Sequence, residues 1–258
     1  MAGNGRVALV TGGGRGIGRA IAIALARVGL RVGVAARSSR ETEQVAGTIG
    51  AEGGDALALV CDVTDPGSVA GAFETASLRL GPVDVLVCNA GVAESAPFTR
   101  TDRGLWERML AVNLTGTYLC MLRALPTMIE RRHGRIINIA SVAAKVGFAY
   151  TAAYCASKHG VLGLTRAVAL EVADKGITVN AICPGWVDTD MTAESIRRIV
   201  TKTGRSPEEA RRSLEEMSPQ KRLIRPEEVA AVAVLLAADD AAGITGQAIN
   251  VDGGEVMS

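Results

Sequence analysis

Seven short, nearly continuous apolar runs alternate with longer stretches that carry apolar residues at helical spacing, and this rhythm restricts the fold more than any other feature. The runs are Arg6 to Thr11, Arg31 to Ala35, Leu57 to Cys61, Val83 to Cys88, Arg135 to Ile139, Ile177 to Ile182 and Gln247 to Val251. A strand that is apolar on both sides must be covered on both faces, as in a parallel sheet lying between helices. The segments Gly18 to Val28, Arg40 to Ala51, Pro66 to Arg79, Leu105 to Arg131, Tyr154 to Ala173 and Pro226 to Ala237 supply those helices. Strand then helix, repeated, requires right-handed crossovers and a doubly wound α/β sheet of about seven strands. No repeat, linker or low-complexity stretch divides residues 1–258, so a single domain is expected.

One stretch departs from the rhythm. Thr189 to Pro226 contains no strand pattern and carries charged helical spacing with Arg197, Arg198, Arg211 and Arg212. It reads as a helical lid inserted at 189–226, or as a solvated decoration.

Directly after the first strand comes Thr11-Gly12-Gly13-Gly14-Arg15-Gly16-Ile17-Gly18, opening a helix. Glycines there let the backbone turn sharply and approach a pyrophosphate, whose charge the free amides of a helix N-terminus favour. In an alternating chain this reads as a Rossmann-like dinucleotide site. An enzyme selecting a free ribose 2′-hydroxyl places an acid at the end of the second strand. Here that position reads Ala35-Ala36-Arg37-Ser38. Arg37 and Arg15 can neutralise a 2′-phosphate, so NADP (NADPH) is expected before NAD; alternatively Arg37 stacks on adenine and Arg15 points to solvent. Asp62, at the end of the third strand, either accepts from the adenine amino group or caps the next helix, a task open also to Thr64 and Asp65. Asn89-Ala90-Gly91 ends the fourth strand at the same carboxyl edge.

Ser141 follows the fifth strand, and Tyr154 and Lys158 lie four apart at the start of a long helix, hence on one face. A phenol is a poor base at neutral pH, but a neighbouring ammonium stabilises phenolate. Tyr154 can then donate a proton to a carbonyl oxygen during hydride attack or accept one from an alcohol, with Ser141 bonding the same oxygen. Asn113, polar within an apolar helical context, can hold a water linking Lys158 to solvent.

These pieces together resemble the short-chain dehydrogenase/reductase family: TGGGRGIG at 11–18, NAG at 89–91, Asn113, Ser141, YCASK at 154–158 and PGWVDT at 184–189, in the family's order. The resemblance implies a catalytic tetrad of Asn113, Ser141, Tyr154 and Lys158, with Lys158 also holding the nicotinamide ribose. It further implies cofactor contacts by Ile17, Asn89 and Thr189, with Pro184 and Gly185 shaping the nicotinamide pocket; together with the residues read above, the expected cofactor set is Gly12, Arg15, Gly16, Ile17, Gly18, Arg37, Asp62, Val63, Asn89, Ala90, Gly91, Tyr154, Lys158, Pro184, Gly185, Val187 and Thr189. Cys88 departs from the family's usual asparagine before Asn89, and a turn-supporting hydrogen bond is expected to be lost there. The family also implies a homotetramer built on two long helices and the C-terminal helix and strand.

ERRHGRIINIAS at 130–141 and DKGITVNAICPG at 174–185 look like the reductases of 3-oxoacyl thioesters, including polyketide ketoreductases. In the fatty-acid enzymes a basic pair contacts acyl carrier protein, and the matching positions are Arg132 and Lys175, which read otherwise as exposed charges. The lengthened segment also looks like 3-hydroxybutyrate dehydrogenases, although Val142 to Gly147 is mostly apolar. Phe98, Phe148, Tyr150 and Trp186 can line a pocket for a bulky ketone. The expected function is NADPH-linked reduction of a β-keto group on an acyl thioester or related bulky ketone. The alternatives are NAD-linked oxidation of a hydroxyacyl or secondary alcohol, and a non-catalytic nucleotide-binding module.

Composition limits the remaining partners. With 28 basic and 27 acidic residues, nothing suggests a general attraction to nucleic acid or to an anionic membrane. The apolar runs Ala20 to Ala26 and Val229 to Ala238 fall short of the ~20 residues a membrane span needs. No secretory signal is visible at the start, so a cytoplasmic location is expected. Five scattered cysteines read as buried free thiols, and His133 and His159 form no metal set, so no metal is expected.

Overall fold

A computed structural model of the chain describes residues 5–257. Its parallel sheet holds β1 (Val7–Thr11), β2 (Arg31–Ala36), β3 (Ala56–Val60), β4 (Val83–Cys88), β5 (Gly134–Ile139), β6 (Ile177–Pro184) and β7 (Ala248–Val251) in the order β3-β2-β1-β4-β5-β6-β7. Every residue of β1, β4, β5 and β6 is buried, which accounts for their unbroken apolar runs. The direction of winding reverses between β1 and β4, and the crevice beyond their carboxyl ends is where a sheet of this kind takes a ligand.

Alternation along the strands divides the core. Ala8 and Val10 face α1 (Gly16–Arg27), α2 (Ser39–Ala51) and α9 (Pro226–Ala237), packing with Ile21, Leu25, Val45, Ile49 and Leu236. Val7 and Leu9 face the other way, toward α3 (Pro66–Arg79), α5 (Gly116–Arg131) and α6 (Ala152–Val172), and pack with Phe73, Met121, Met128 and Val172. Asp84 links the layers, accepting from Val7 N at 2.8 Å while Arg131 stands 2.8 Å from its other oxygen.

The single helix expected over Leu105 to Arg131 is divided. α4 (Arg103–Leu110) leads into a five-residue π-type turn, Ala111–Thr115, before α5 begins. The extra residue per turn rotates Asn113 out of the α-helical register, a change that apolar spacing does not record.

The inserted segment contains α7 (Asp190–Thr203) and α8 (Pro207–Glu215). Its two ends are clasped: Ile224 N donates to Trp186 O and Asp188 N to Ile224 O, each at 2.8 Å. The segment therefore departs from the carboxyl end of β6 and returns to the same place before α9. Among the described residues no helix is long and apolar enough to cross a membrane.

Candidate active site

The glycine turn is held by a short set of polar contacts. Gly12 has φ +61° and Gly16 φ +52°. A Cβ on Gly18 would stand 2.2 Å from Gly12 O, so only glycine lets α1 start against the strand end. Asn89 Nδ2 donates to Thr11 O and Gly12 O, both at 3.0 Å, tying β4 to the turn. Thr11 Oγ1 accepts from Asn89 N at 3.0 Å and Ala90 N at 3.2 Å. Thr11 did not figure among the expected site residues; a hydroxyl immediately before the glycine run was its only signal. Among the described residues the Cys88 thiol makes no bond to the turn: it is buried beside Cys120, pushed well up by its hydrogen bond to Cys120 and by burial, and the turn is held by Asn89 and Thr11.

No side chain caps α1, and its first turn holds no acid. The amides of Gly16, Ile17 and Gly18 thus open toward the crevice as an anion site. Arg15 is exposed and 3.9 Å from Glu41, a pairing worth little at the surface. Arg37 is exposed at the end of β2. Of the residues expected to cap α3, Asp62 is not the one that does so. It accepts from Thr64 N at 2.9 Å and Thr64 Oγ1 at 2.7 Å, while Asp65 caps α3 through Gly67 N. The two Thr64 bonds, aided by the charge of Arg37, hold the Asp62 carboxyl below the usual carboxylate range.

Several expected contacts are brought together with their side chains turned to other work. Val63 is buried, its Cγ2 2.7 Å from where a Cβ on Gly116 would lie. Val187 packs in the core, and its carbonyl accepts from Thr192 Oγ1 at 2.5 Å. Ile17 is half-buried against the same core. Thr189, first residue before α7, stands 3.3 Å from the Cβ position of Gly16 and so joins the inserted segment to the glycine turn. Pro184 ends β6, and Gly185 donates to Val251 O at 3.1 Å with Glu255 Oε2 2.9 Å from its Cβ position, leaving no room for a side chain.

At the neighbouring edge α6 presents Tyr154 and Lys158 on one face, with Lys158 Nζ 5.8 Å from the phenol ring centre. Lys158 is 5% exposed, and Nζ donates to Ile139 O at 2.8 Å. Ser141 lies just beyond β5, its Oγ accepting from Ala143 N at 3.1 Å and hydrogen-bonding Tyr154. Asn113 Nδ2 donates to Val92 O at 3.0 Å and to Ser157 Oγ at 2.9 Å, while Oδ1 accepts from Val92 N at 2.8 Å. A Cβ on Gly91 would lie 3.3 Å from Asn113 Oδ1 and 3.7 Å from Lys158 Nζ, so four separate chain segments converge on one spot.

Both amide hydrogens of the Asn113 side chain are taken by protein acceptors, so the side chain anchors the loop after Gly91. The ordering of proton affinities is set by burial more than by the cation. Burial pushes the Tyr154 phenol up, with the Ser141 hydrogen bond opposing it, and pushes the Lys158 ammonium down to about 8.

Comparison with known proteins agrees with this geometry. A family profile described as Enoyl-(Acyl carrier protein) reductase matches residues 12–255. The 3-oxoacyl-[acyl-carrier-protein] reductase of a Synechocystis species is 41% identical over 98% of this chain and 97% of its own. The D-beta-hydroxybutyrate dehydrogenase of Rhizobium meliloti is 38% identical over 96% of this chain and 98% of its own. A crystallised variant of actinorhodin polyketide ketoreductase with NADPH superposes with TM-score 0.95 at 40% identity, covering 98% of this chain and 99% of that one. With the glycine turn, the convergent Ser141, Tyr154 and Lys158, and a match along almost its whole length, the chain belongs to the short-chain dehydrogenase/reductase family of oxidoreductases that act on keto and hydroxyl groups.

Proposed function

We propose that this chain reduces the β-keto group of an acyl thioester, or of a related bulky ketone, with NADPH. The observation that carries the reading is the convergence of Tyr154, Ser141 and Lys158 beside an uncapped helix N-terminus framed by glycines. The residues present fit a dinucleotide: the uncapped amides at the start of α1 would hold a pyrophosphate, and the second strand is followed by Arg37 where an acid would repel a 2′-phosphate.

The cofactor, when bound, supplies the hydride that becomes the new C–H bond of the product alcohol. The Tyr154 hydroxyl gives its proton to the carbonyl oxygen as charge develops there, and in the reverse direction takes it back. Ser141 donates a second hydrogen bond to that oxygen. Lys158 lowers the cost of phenolate and holds the ribose. Asn113 is a positioning residue, fixing the loop at Val92 and the helix turn at Ser157. Support for the thioester class comes from the relatives named for that substrate and from the largely apolar Val142 to Gly147 stretch, which offers little to a small carboxylate.

The same reading includes a homotetramer and an encounter with acyl carrier protein. Arg132 and Lys175 stand at the amino ends of β5 and β6, where Arg132 donates to Asp174 O at 2.6 Å and Lys175 to Glu171 O at 2.7 Å. That edge is a strand's length, about 20 Å, from the carboxyl edge bearing Ser141.

Assays with acetoacetyl-CoA and trans-1-decalone test the substrate class; rejection of both overturns it. Cofactor preference is read from dissociation constants. Arg37→Asp is expected to weaken NADPH at least about tenfold while NADH changes less, the loss of one charge-assisted contact. Equal weakening of both would leave NADPH preference without its basis.

A further inference from the structure

The mouth of the crevice has a polar surface that the proton-transfer groups do not use. Arg198 of α7 reaches the loop after Gly91, Nη1 donating to Ala93 O at 3.2 Å. Glu194, Arg197, Arg198, Thr201 and Lys202 recur at helical spacing on one stripe of α7, and they line a shallow, open groove of about 190 Å³. Glu194 is its sole anion, 2.6 Å from Arg197 and 3.4 Å from Arg198. The bond from Arg197 holds the Glu194 carboxyl below its ordinary range, so it stays ionised and offsets one of three positive charges. Lys202 makes no hydrogen bond or ion pair among the described residues. Arg198 donates from Nη1 to Ala93 O and turns Nε toward Glu194 at 3.4 Å, and its remaining N–H groups are open to a phosphate or carboxylate.

Position gives the stripe its meaning. Thr189 touches the glycine turn, and Arg198 lies nine residues further along α7, about 13 Å at the helical rise. A phosphopantetheine thioester carrying a β-keto acyl group has its ketone at one end of an extended arm and its phosphate at the other, and Arg198 reaches the loop just past Gly91. The other basic pair, Arg132 and Lys175, lies at the opposite edge of the sheet.

We propose that Arg197, Arg198 and Lys202 on α7 bind the phosphate of a phosphopantetheine arm whose β-keto end lies at Tyr154. The proposal rests on the thioester reading above and assigns the segment 189–226 a share of substrate binding. The phosphate is common to coenzyme A and to a carrier protein's prosthetic arm, and the test separates it from the nucleotide end of coenzyme A.

Steady-state constants are to be measured for acetoacetyl-pantetheine, acetoacetyl-4′-phosphopantetheine and acetoacetyl-CoA, using the unmodified enzyme, Arg198→Gln with Lys202→Gln, and Lys202→Gln alone. The double variant is expected to raise KM about tenfold for both phosphorylated thioesters, the loss of roughly one charge-assisted contact, with pantetheine altered less than twofold. Lys202→Gln removes no bond within the chain, so a selective rise in that variant excludes a merely structural effect of breaking the Arg198 to Ala93 link. Equal changes for all three thioesters, a change confined to acetoacetyl-CoA, or no change would each overturn the docking alone. Turnover of trans-1-decalone with none of any thioester would instead overturn the thioester reading, and the docking with it.

Discussion

Lys158 is the residue at which stability and chemistry oppose each other. Its ammonium is buried with one carbonyl acceptor at 2.8 Å, and burial brings its pKa down from 10.5 to about 8. Between these values the unfolded chain binds more protons than the folded one. Stability therefore rises with pH across that window, and the penalty of the buried charge is fully present below about 8. Lys158→Met is accordingly expected to raise the Tm of the cofactor-free protein at pH 7, by on the order of 5 °C, with the gain shrinking toward pH 10. The same variant should lose turnover and weaken cofactor binding; an unchanged cofactor dissociation constant would count against the ribose contact. Tyr154→Phe separates the other half of the pair. It should lower kcat/KM by roughly 10²- to 10⁴-fold while the cofactor dissociation constant stays within about twofold, since the phenol acts on the substrate oxygen. Normal rates in that variant would exclude an acid role.

At the scale of the element, the π-type turn at Ala111–Thr115 does what an unbroken helix cannot. It faces the Asn113 side chain toward Val92 and Ser157, so one amide joins the helix layer, the loop flanking Gly91 and the helix that carries Tyr154 and Lys158. Asn113→Ala leaves the Val92 main chain and the Ser157 hydroxyl short of partners, a cost on the order of 3 kcal/mol. Thermal melts should register that loss, and kcat should fall together with it because the loop and α6 lose their common anchor. A variant with unchanged melting and a normal kcat would show that the turn is held by its backbone alone. The polar residue stood out in the sequence; the turn that aims it did not, because helical spacing looks the same on either side of a single added residue.

Over the whole molecule, the long helices leave large apolar side chains uncovered. Leu122 of α5 is 53% exposed, Leu170 of α6 83% and Leu235 of α9 54%. Burial of several such groups per face is a driving force for association, and these are the helices on which the proposed tetramer is built. Light scattering is expected to give the mass of four chains, and Leu122→Glu or Leu170→Glu to shift it toward smaller species. A monomer at micromolar concentration in the unmodified protein would remove the proposal.

The alternation of strands and helices, the place of the glycine turn, and the spacing of Tyr154 and Lys158 were all legible in the chain, because each depends on local periodicity or on residues within one turn of one another. Helix ends moved by a residue or two, and the sheet kept its seven strands. What only the tertiary structure decided are the contacts between distant segments: Thr189 against Gly16, Asn89 across to Thr11 and Gly12, and Arg198 across to Ala93. Burial, too, was invisible in the chain, and it sets the proton affinities of Lys158 and Tyr154. Periodicity records which face of an element is apolar; the desolvation of a charge depends on everything the completed fold brings around it.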